Sequence, residues 1–305
     1  MKPPILLLDG GMGQELMRRS TRPPEPLWSA RTVEREPEIV IAAHADFIAA
    51  GARVITVSSY AATPQRLAEE GEADRFEALQ RKACELALRA RDRSGVDVAI
   101  AGCLPPLVRS YRPDLAPSPE TMAESYARIV AAQAGEVDLF VCETLASLDE
   151  IIAAVGAARA AGIAVWTGVT VQDGDGTRLR SGVPVEDAAR VAAAAGADAV
   201  LVNCSSPEAV SDAMRGLAAA GKPFGGLPNG FVSVAPQAAD GVVTRMRARD
   251  DLSPARFVDF ALAWADAGAT LLGGCCEIGP SHLAALRDRL KRDGVSLAPP
   301  PLRDL

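Results

Sequence analysis

Long apolar runs are missing from this sequence. No stretch approaches the ~18 uninterrupted apolar residues of a membrane-crossing helix, so helical membrane spans are excluded. The opening residues, Met1-Lys2-Pro3-Pro4-Ile5-Leu6-Leu7-Leu8-Asp9, hold an apolar run too short for a secretory leader and lead directly into a glycine-rich turn. An excess of positive charge is also lacking. Lys and Arg number 32 against 39 Asp and Glu, a net charge of −7, which argues against a nucleic-acid surface. The cluster Arg245, Arg247, Arg249 is followed at once by Asp250 and Asp251 and reads as a solvated loop. No Ser/Gly linker or change of composition divides the chain, so residues 1–305 read as one domain. The cysteines, at 84, 103, 142, 204, 275 and 276, are too dispersed for a disulfide framework and point to a reduced compartment with metal or catalytic use. The expectation is a soluble, cytoplasmic protein with no membrane or nucleic-acid partner.

What is present is a repeated phrase: Ala-Gly, a short spacer, then an apolar run of strand length. It occurs at Ala50-Gly51, Ala161-Gly162, Ala195-Gly196, Ala220-Gly221 and Ala267-Gly268. Each glycine stands where a left-handed C-cap ends a helix, and each run lacks helical period. Helix starts follow the runs. Ser147-Leu148-Asp149-Glu150 is a capping box, and Ser118-Pro119, Ser206-Pro207 and Ser253-Pro254 pair a cap with a proline at the first helical position. Eight strands are predicted, at residues 5–8, 53–58, 97–101, 138–142, 164–170, 198–203, 223–227 and 269–273. Strands alternating with helices are parallel with right-handed crossovers. Eight such units predict an α/β fold, a (β/α)8 TIM barrel. An open doubly wound sheet is less consistent, because Asp9-Gly10-Gly11-Met12-Gly13 lacks the G-x-G-x-x-G spacing.

A barrel gathers its functional groups at the C-terminal ends of its strands. There the sequence places Asp9, Ser58-Ser59-Tyr60, Glu143-Thr144, Asn203-Cys204, Pro228-Asn229 and Gly273-Gly274-Cys275-Cys276. The paired glycines permit the sharp turn that aims two adjacent thiols at one point. With Cys204 they form a three-thiolate set with one position open, suited to zinc. Such an electron-rich centre is a poor activator of water but binds a further thiolate and leaves it nucleophilic, so alkyl transfer onto a thiol is expected. Asp9 and Glu143 either face a ligand ammonium, or cap the next helix, or form salt bridges. His44 and His282 read as structural, and Asp173-Gly174-Asp175-Gly176, without the closing Glu of a calcium loop, reads as a turn.

These motifs, Leu8-Asp9-Gly10-Gly11-Met12-Gly13, Glu143-Thr144, Asn203-Cys204, Pro228-Asn229 and Gly273-Gly274-Cys275-Cys276, resemble those of the homocysteine S-methyltransferase family, in its order and over nearly the whole chain. The resemblance implies a zinc-dependent barrel that methylates L-homocysteine to methionine. It implies Cys204, Cys275 and Cys276 as the Zn2+ ligands and Asp9 and Glu143 as the groups that hold the substrate amino group. Asn229 matches the asparagine that approaches the zinc when substrate is absent, and Tyr60 matches a catalytic-side tyrosine near the methyl donor. Val57-Ser58-Ser59-Tyr60, Cys103-Leu104-Pro105-Pro106 and Glu277-Ile278-Gly279-Pro280 depart from the family pattern on the donor side. The chain leaves no room for a corrinoid or folate domain, or for a tetramer-building extension. A small sulfonium donor, S-methylmethionine first, is therefore expected, with Glu277 and Tyr60 favouring the cation and a monomer or small homo-oligomer as the assembly. Betaine or S-adenosylmethionine as donor, and a selenol as acceptor, remain alternatives. So do a lyase or hydrolase using Asp9 and Glu143 as acid and base, and a zinc-buffering or thiol-redox protein.

Overall fold

The five Ala-Gly glycines all adopt positive φ: 121° at Gly51, 71° at Gly162, 106° at Gly196, 61° at Gly221 and 102° at Gly268. Each ends a helical segment and releases the chain into a strand, as a residue without a Cβ can. The computed structural model describes residues 3–23, 26–235 and 246–303. Eight strands follow in order: β1 (Leu6–Leu7), β2 (Val54–Thr56), β3 (Ala99–Leu104), β4 (Leu139–Leu145), β5 (Ala164–Val169), β6 (Ala199–Asn203), β7 (Phe224–Leu227) and β8 (Leu271–Leu272). Helices α1 (Met12–Arg19), α2 (Trp28–Arg35) and α3 (Pro37–Ala50) lie between β1 and β2, and α4 (Pro64–Glu69) and α5 (Phe76–Ser94) between β2 and β3. Among the described residues one helix then follows each strand from β3 to β8: α6 (Pro119–Gln133), α7 (Leu148–Ala160), α8 (Val185–Ala195), α9 (Pro207–Leu217), α10 (Pro254–Asp266) and α11 (Pro280–Arg292).

All strand pairs are parallel, in the order β1-β8-β7-β6-β5-β4-β3-β2. Closure between β1 and β2 comes from the Leu8–Val54 bridge and from Arg53 N–H to Leu7 O (2.8 Å) and Asp9 N–H to Val54 O (3.0 Å). The fold is thus a closed (β/α)8 barrel. Alternation along the strands sorts the side chains. Leu6, Leu8, Val54, Ala99, Ala101, Leu139, Val141, Trp166, Ala199, Leu201, Leu227 and Leu271 pack as one buried cluster inside the barrel. The outward set, with Ile100, Phe140, Val165 and Val200, packs on the helices. No described helix is long and apolar enough to cross a membrane.

The sequence-marked caps hold: the hydroxyls of Ser118, Ser147, Ser206 and Ser253 accept from the backbone N–H groups of Thr121, Glu150, Ala209 and Arg256. Two strands run three residues past their expected ends. β3 runs on to Leu104, which puts Cys103 inside a strand and not in a loop. β4 runs on to Leu145, past Glu143 and Thr144. There the register with β5 shifts between Cys142 and Leu145, and Thr144 takes φ 62°. This irregularity lets pairing continue beyond the polar residues that seemed to end the strand.

The opposite end of the barrel is closed by the segment after α11. Ile5 N–H donates to Ser296 O (2.9 Å) and Ala298 N–H to Ile5 O (2.8 Å). Ala298 packs against the interior cluster, and Arg303 N–H donates to Asp138 Oδ1 at 2.9 Å.

Candidate metal centre

The turn after β8 is built from backbone. Gly274 N–H donates to Asp9 O, Cys275 N–H to Pro228 O and Gly230 N–H to Cys276 O, each at 2.8 Å. The turn thereby lies between the loops after β1 and β7. Two glycines here leave no space for a side chain. A Cβ on Gly11 would stand 2.7 Å from Cys275 O, and one on Gly274 would stand 2.3 Å from the Ile278 side chain. No ordinary residue fits either place.

Cys204 follows β6, its N–H donating to Leu227 O at 2.9 Å and its backbone at φ 49°. The left-handed turn aims its sulfur at the β8 loop. Cys204 Sγ lies 3.7 Å from Cys276 Sγ, and Cys275 Sγ lies 4.0 Å from Cys276 Sγ. All three sulfurs fall within 4.8 Å of one another. A tetrahedral zinc with Zn–S of about 2.3 Å sets its sulfurs about 3.8 Å apart, so the donor set and its spacing fit such an ion. Hydrogen bonds from Cys275 and Cys276 hold the Cys204 thiol well below the usual thiol range. The same hydrogen bonds to Cys204 hold the thiols of Cys275 and Cys276 well above it, with burial and the Cys204 charge adding to the rise.

Asn203, inward-facing on β6, holds the β4 irregularity in place. Its Oδ1 accepts from Thr144 N–H at 2.7 Å, and its Nδ2 donates to Thr144 Oγ1 at 3.1 Å. Glu143 precedes this turn. Burial pushes its carboxyl up from 4.5 to about 7, offset in part by the Cys103 thiol, which donates to Glu143 Oε2 at 2.8 Å. Asp9 is buried, with Oδ2 accepting from Thr56 N–H at 2.8 Å. Desolvation pushes its carboxyl well above the usual range, and the neighbouring Glu143 charge adds to the rise. Neither carboxylate caps a helix or meets a cation among the described contacts, so the cap and salt-bridge alternatives find no support.

Asn229 is buried. Its Oδ1 accepts from Phe231 N–H at 3.0 Å, and its Nδ2 has no partner among the described residues. That leaves one free donor in the loop bonded to the cysteine turn. Tyr60 lies on the same rim. Its Oη is 2.8 Å from Ser110 Oγ, the Arg66 guanidinium lies 5.1 Å from its ring centroid, and burial pushes its phenol up. Glu277 does not serve as expected, because its carboxylate is paired with Arg18 and so is not left over for a ligand cation. Arg249 is tied to Glu208 and Asp251, as a solvated loop implies. Arg245 lies outside the described residues.

The histidines are structural. His44 is fully buried in α3, and burial pulls it down to about 4, so it is neutral. His282 Nδ1 accepts from Gly279 N–H at 3.3 Å and Nε2 meets Leu252 O at 3.2 Å, a cap on α11. Asp175 Oδ1 accepts from Thr177 N–H at 3.1 Å, the expected turn. Sequence reasoning passed over two neighbours of the site. Tyr111, in the loop after β3, places its Oη 3.0 Å from Cys204 Sγ. Cys103, two residues past the predicted end of its strand, donates to Glu143 Oε2 from within β3. Strand parity was the available signal for Cys103, since 99, 101 and 103 share the inward face once β3 is drawn long enough.

A closed (β/α)8 barrel whose mouth gathers three cysteine sulfurs and two desolvated carboxylates defines a class: barrel proteins with a thiolate cluster that could hold a metal ion. A model of the homocysteine S-methyltransferase family matches residues 6–290. The homocysteine S-methyltransferase of Escherichia coli (strain K12) is 32% identical, over 94% of this chain and 96% of its own. The selenocysteine Se-methyltransferase of Brassica oleracea var. italica is 29% identical, over 93% of this chain and 88% of its own. The metallated crystal structure of the homocysteine methyltransferase MmuM from Escherichia coli superposes with a TM-score of 0.77 at 28% identity, covering 94% of this chain and 97% of that one. The chain belongs to the homocysteine S-methyltransferase family and is a methyltransferase.

Proposed function

We propose that residues 1–305 act as one zinc-dependent unit that moves a methyl group from a small sulfonium donor, S-methylmethionine first, to the thiol of L-homocysteine. The convergence of Cys204, Cys275 and Cys276 carries the reading: three soft donors within 4.8 Å at a barrel mouth. Zinc, when bound, supplies the Lewis acidity that lets a thiol lose its proton near neutral pH. Asp9 and Glu143 attract the acceptor's ammonium. Their raised pKa values record how strongly the desolvated mouth favours a positive partner over two bare carboxylates. Holding the ammonium at β1 and β4 points the acceptor sulfur toward the cysteine turn. The sulfur lone pair then forms the S–C bond while the donor's C–S bond breaks. The donor leaves as a neutral thioether, and the thiol proton goes to solvent.

The choice of donor is supported by a wall of Tyr111, Phe231, Val234 and Met246 packed against the three cysteines. Aromatic faces of this kind favour a methylated cation. A selenol acceptor is a second reading, favoured by the Brassica relative. In the cell we place the protein in the cytoplasm as a monomer or small homo-oligomer. The test measures metal content and methyl transfer on the purified chain, with homocysteine and each donor in turn. Bound zinc with methionine formed from S-methylmethionine is the expected result. Activity with betaine alone would overturn the donor, and activity that survives zinc removal would overturn the mechanism.

A further inference from the structure

Beyond its place in the apolar wall, Tyr111 brings its phenol oxygen to the cysteine centre. Its side chain is buried at 5% exposure, and its backbone is held at φ 65°, a left-handed conformation unfavourable to a non-glycine residue. In that conformation Oη approaches Cys204 Sγ to 3.0 Å. A phenol beside an ionised sulfur can only donate. Arg180 lies over the ring, its guanidinium carbon 4.9 Å from the centroid. Arg180 is itself fixed, Nη2 to Asp173 Oδ1 at 2.8 Å and Nε to Thr170 Oγ1 at 3.3 Å. Thr170 Oγ1 in turn reaches the carbonyl oxygen of Cys204 at 3.4 Å. Asp173, Arg180, Tyr111, Cys204 and Thr170 thus form a braced circuit. A cation over the ring draws electron density from it and strengthens the O–H donor.

The circuit answers a problem of chemistry. A site that presents a methyl cation equivalent to sulfur holds competing thiolates: the acceptor and the protein's own ligands. If a ligand sulfur attacked instead, its S–C bond would form as the donor's C–S bond broke. The donor would leave as a neutral thioether, and the ligand would become a neutral thioether of poor affinity for the metal. A hydrogen bond stabilises a thiolate lone pair and lowers its nucleophilicity. We propose that Tyr111, braced by Arg180, is a positioning residue that keeps Cys204 a metal ligand and withholds its sulfur from alkylation. The proposal rests on the thiolate-centre reading given above.

The test uses the full chain without acceptor or sulfonium donor. In the cobalt(II)-substituted protein, Tyr111→Phe is expected to move the thiolate-to-cobalt charge-transfer absorption to lower energy at undiminished intensity, because one thiolate loses its hydrogen bond. In the zinc-loaded protein treated with iodomethane, methylation at Cys204 should rise about three- to tenfold, the part of a charge-assisted hydrogen bond lost in the transition state. Peptide mass spectrometry should show Cys275 and Cys276 little changed. Arg180→Gln should shift both readouts the same way by a smaller amount, about twofold in rate, and carries the test if Tyr111→Phe does not fold. An unchanged band and unchanged Cys204 methylation in the folded variant overturn the proposal. Absence of any thiolate-to-cobalt band in the unsubstituted protein overturns the metal reading itself, and the proposal with it.

Discussion

At one end of the barrel, Ile5 and the segment from Ser296 to Ala298 close the interior with backbone bonds and apolar contact. At the other end, Thr144, Cys204 and Glu277 sit in left-handed backbone around carboxylates, amides and sulfurs. The interior between them is one apolar cluster of leucine, alanine and valine with a single tryptophan. At the closed end Ile5, Ala298 and Arg303 pair their backbone groups, and the segment does little but hold. The open end stores strain and keeps desolvated charge and an unpaired amide. Features of that sort survive only where a rigid frame beneath them over-determines the geometry. The comparison teaches that the lower barrel supplies the stability on which the rim draws.

The sharpest way to break this contrast is at the sulfurs. Cys275→Ala should remove bound metal and lower methyl transfer by at least about a thousandfold, since loss of one of three ligands abolishes the centre. Circular dichroism should show an intact fold, because the cysteine turn is held by backbone bonds. Unfolding of this variant would mean that the rim supports the frame, the reverse of the claim.

Glu143→Gln tests the charge stored at the rim. Folding raises the Glu143 carboxyl from 4.5 to about 7, so the native state holds its proton more tightly than the unfolded chain. Its stabilising contribution is complete below about pH 4.5 and is lost as pH rises through about 7. At about 1.4 kcal/mol per pH unit, up to about 3 kcal/mol is forgone at neutral pH. The metal-free glutamine variant should therefore be more stable than its parent above pH 7, by denaturant titration, and the gap should close toward pH 4.5. It should also bind homocysteine poorly. In the parent, KM for homocysteine should climb as pH falls below about 7, because the protonated carboxyl no longer attracts the ammonium. A pH-independent KM would remove Glu143 from that role.

At the closed end, deletion of residues 296–305 should cost about 2–4 kcal/mol through two lost backbone bonds and an opened apolar layer. Activity per folded molecule should be unchanged at low temperature; a selective loss of metal would show that the ends are not separable. The smallest effect belongs to His282→Ala, which removes a helix cap. About 1 kcal/mol of stability should disappear, with zinc content and rate untouched.

Much of this arrangement was readable before any coordinates. Ala-Gly at the helix ends and Ser-Pro at the helix starts are local signals, decided by backbone sterics and a single hydrogen bond. They placed all eight strands. The sulfurs of Cys204, Cys275 and Cys276 were legible because barrel topology assigns strand ends to one mouth. What escaped notice depends on long-range contact. The extension of β4 through Glu143 and Thr144 needs Asn203, 59 positions along the chain, to satisfy Thr144. Tyr111 sits in an irregular loop where no period or cap announces it, and its meaning comes from Cys204, 93 positions away. The pairing of Glu277 with Arg18 spans 259 positions, so the sequence alone left Glu277 looking available.

The close-packed glycines have a consequence for how the protein comes into being. A Cβ on Gly11 would meet Cys275 O and one on Gly273 would meet Asp9 O, so the loops after β1 and β8 touch backbone to backbone although their residues lie far apart in the chain. The two later cysteines ride on that junction. Uptake of metal would therefore report that the first and last strands of the barrel have come together.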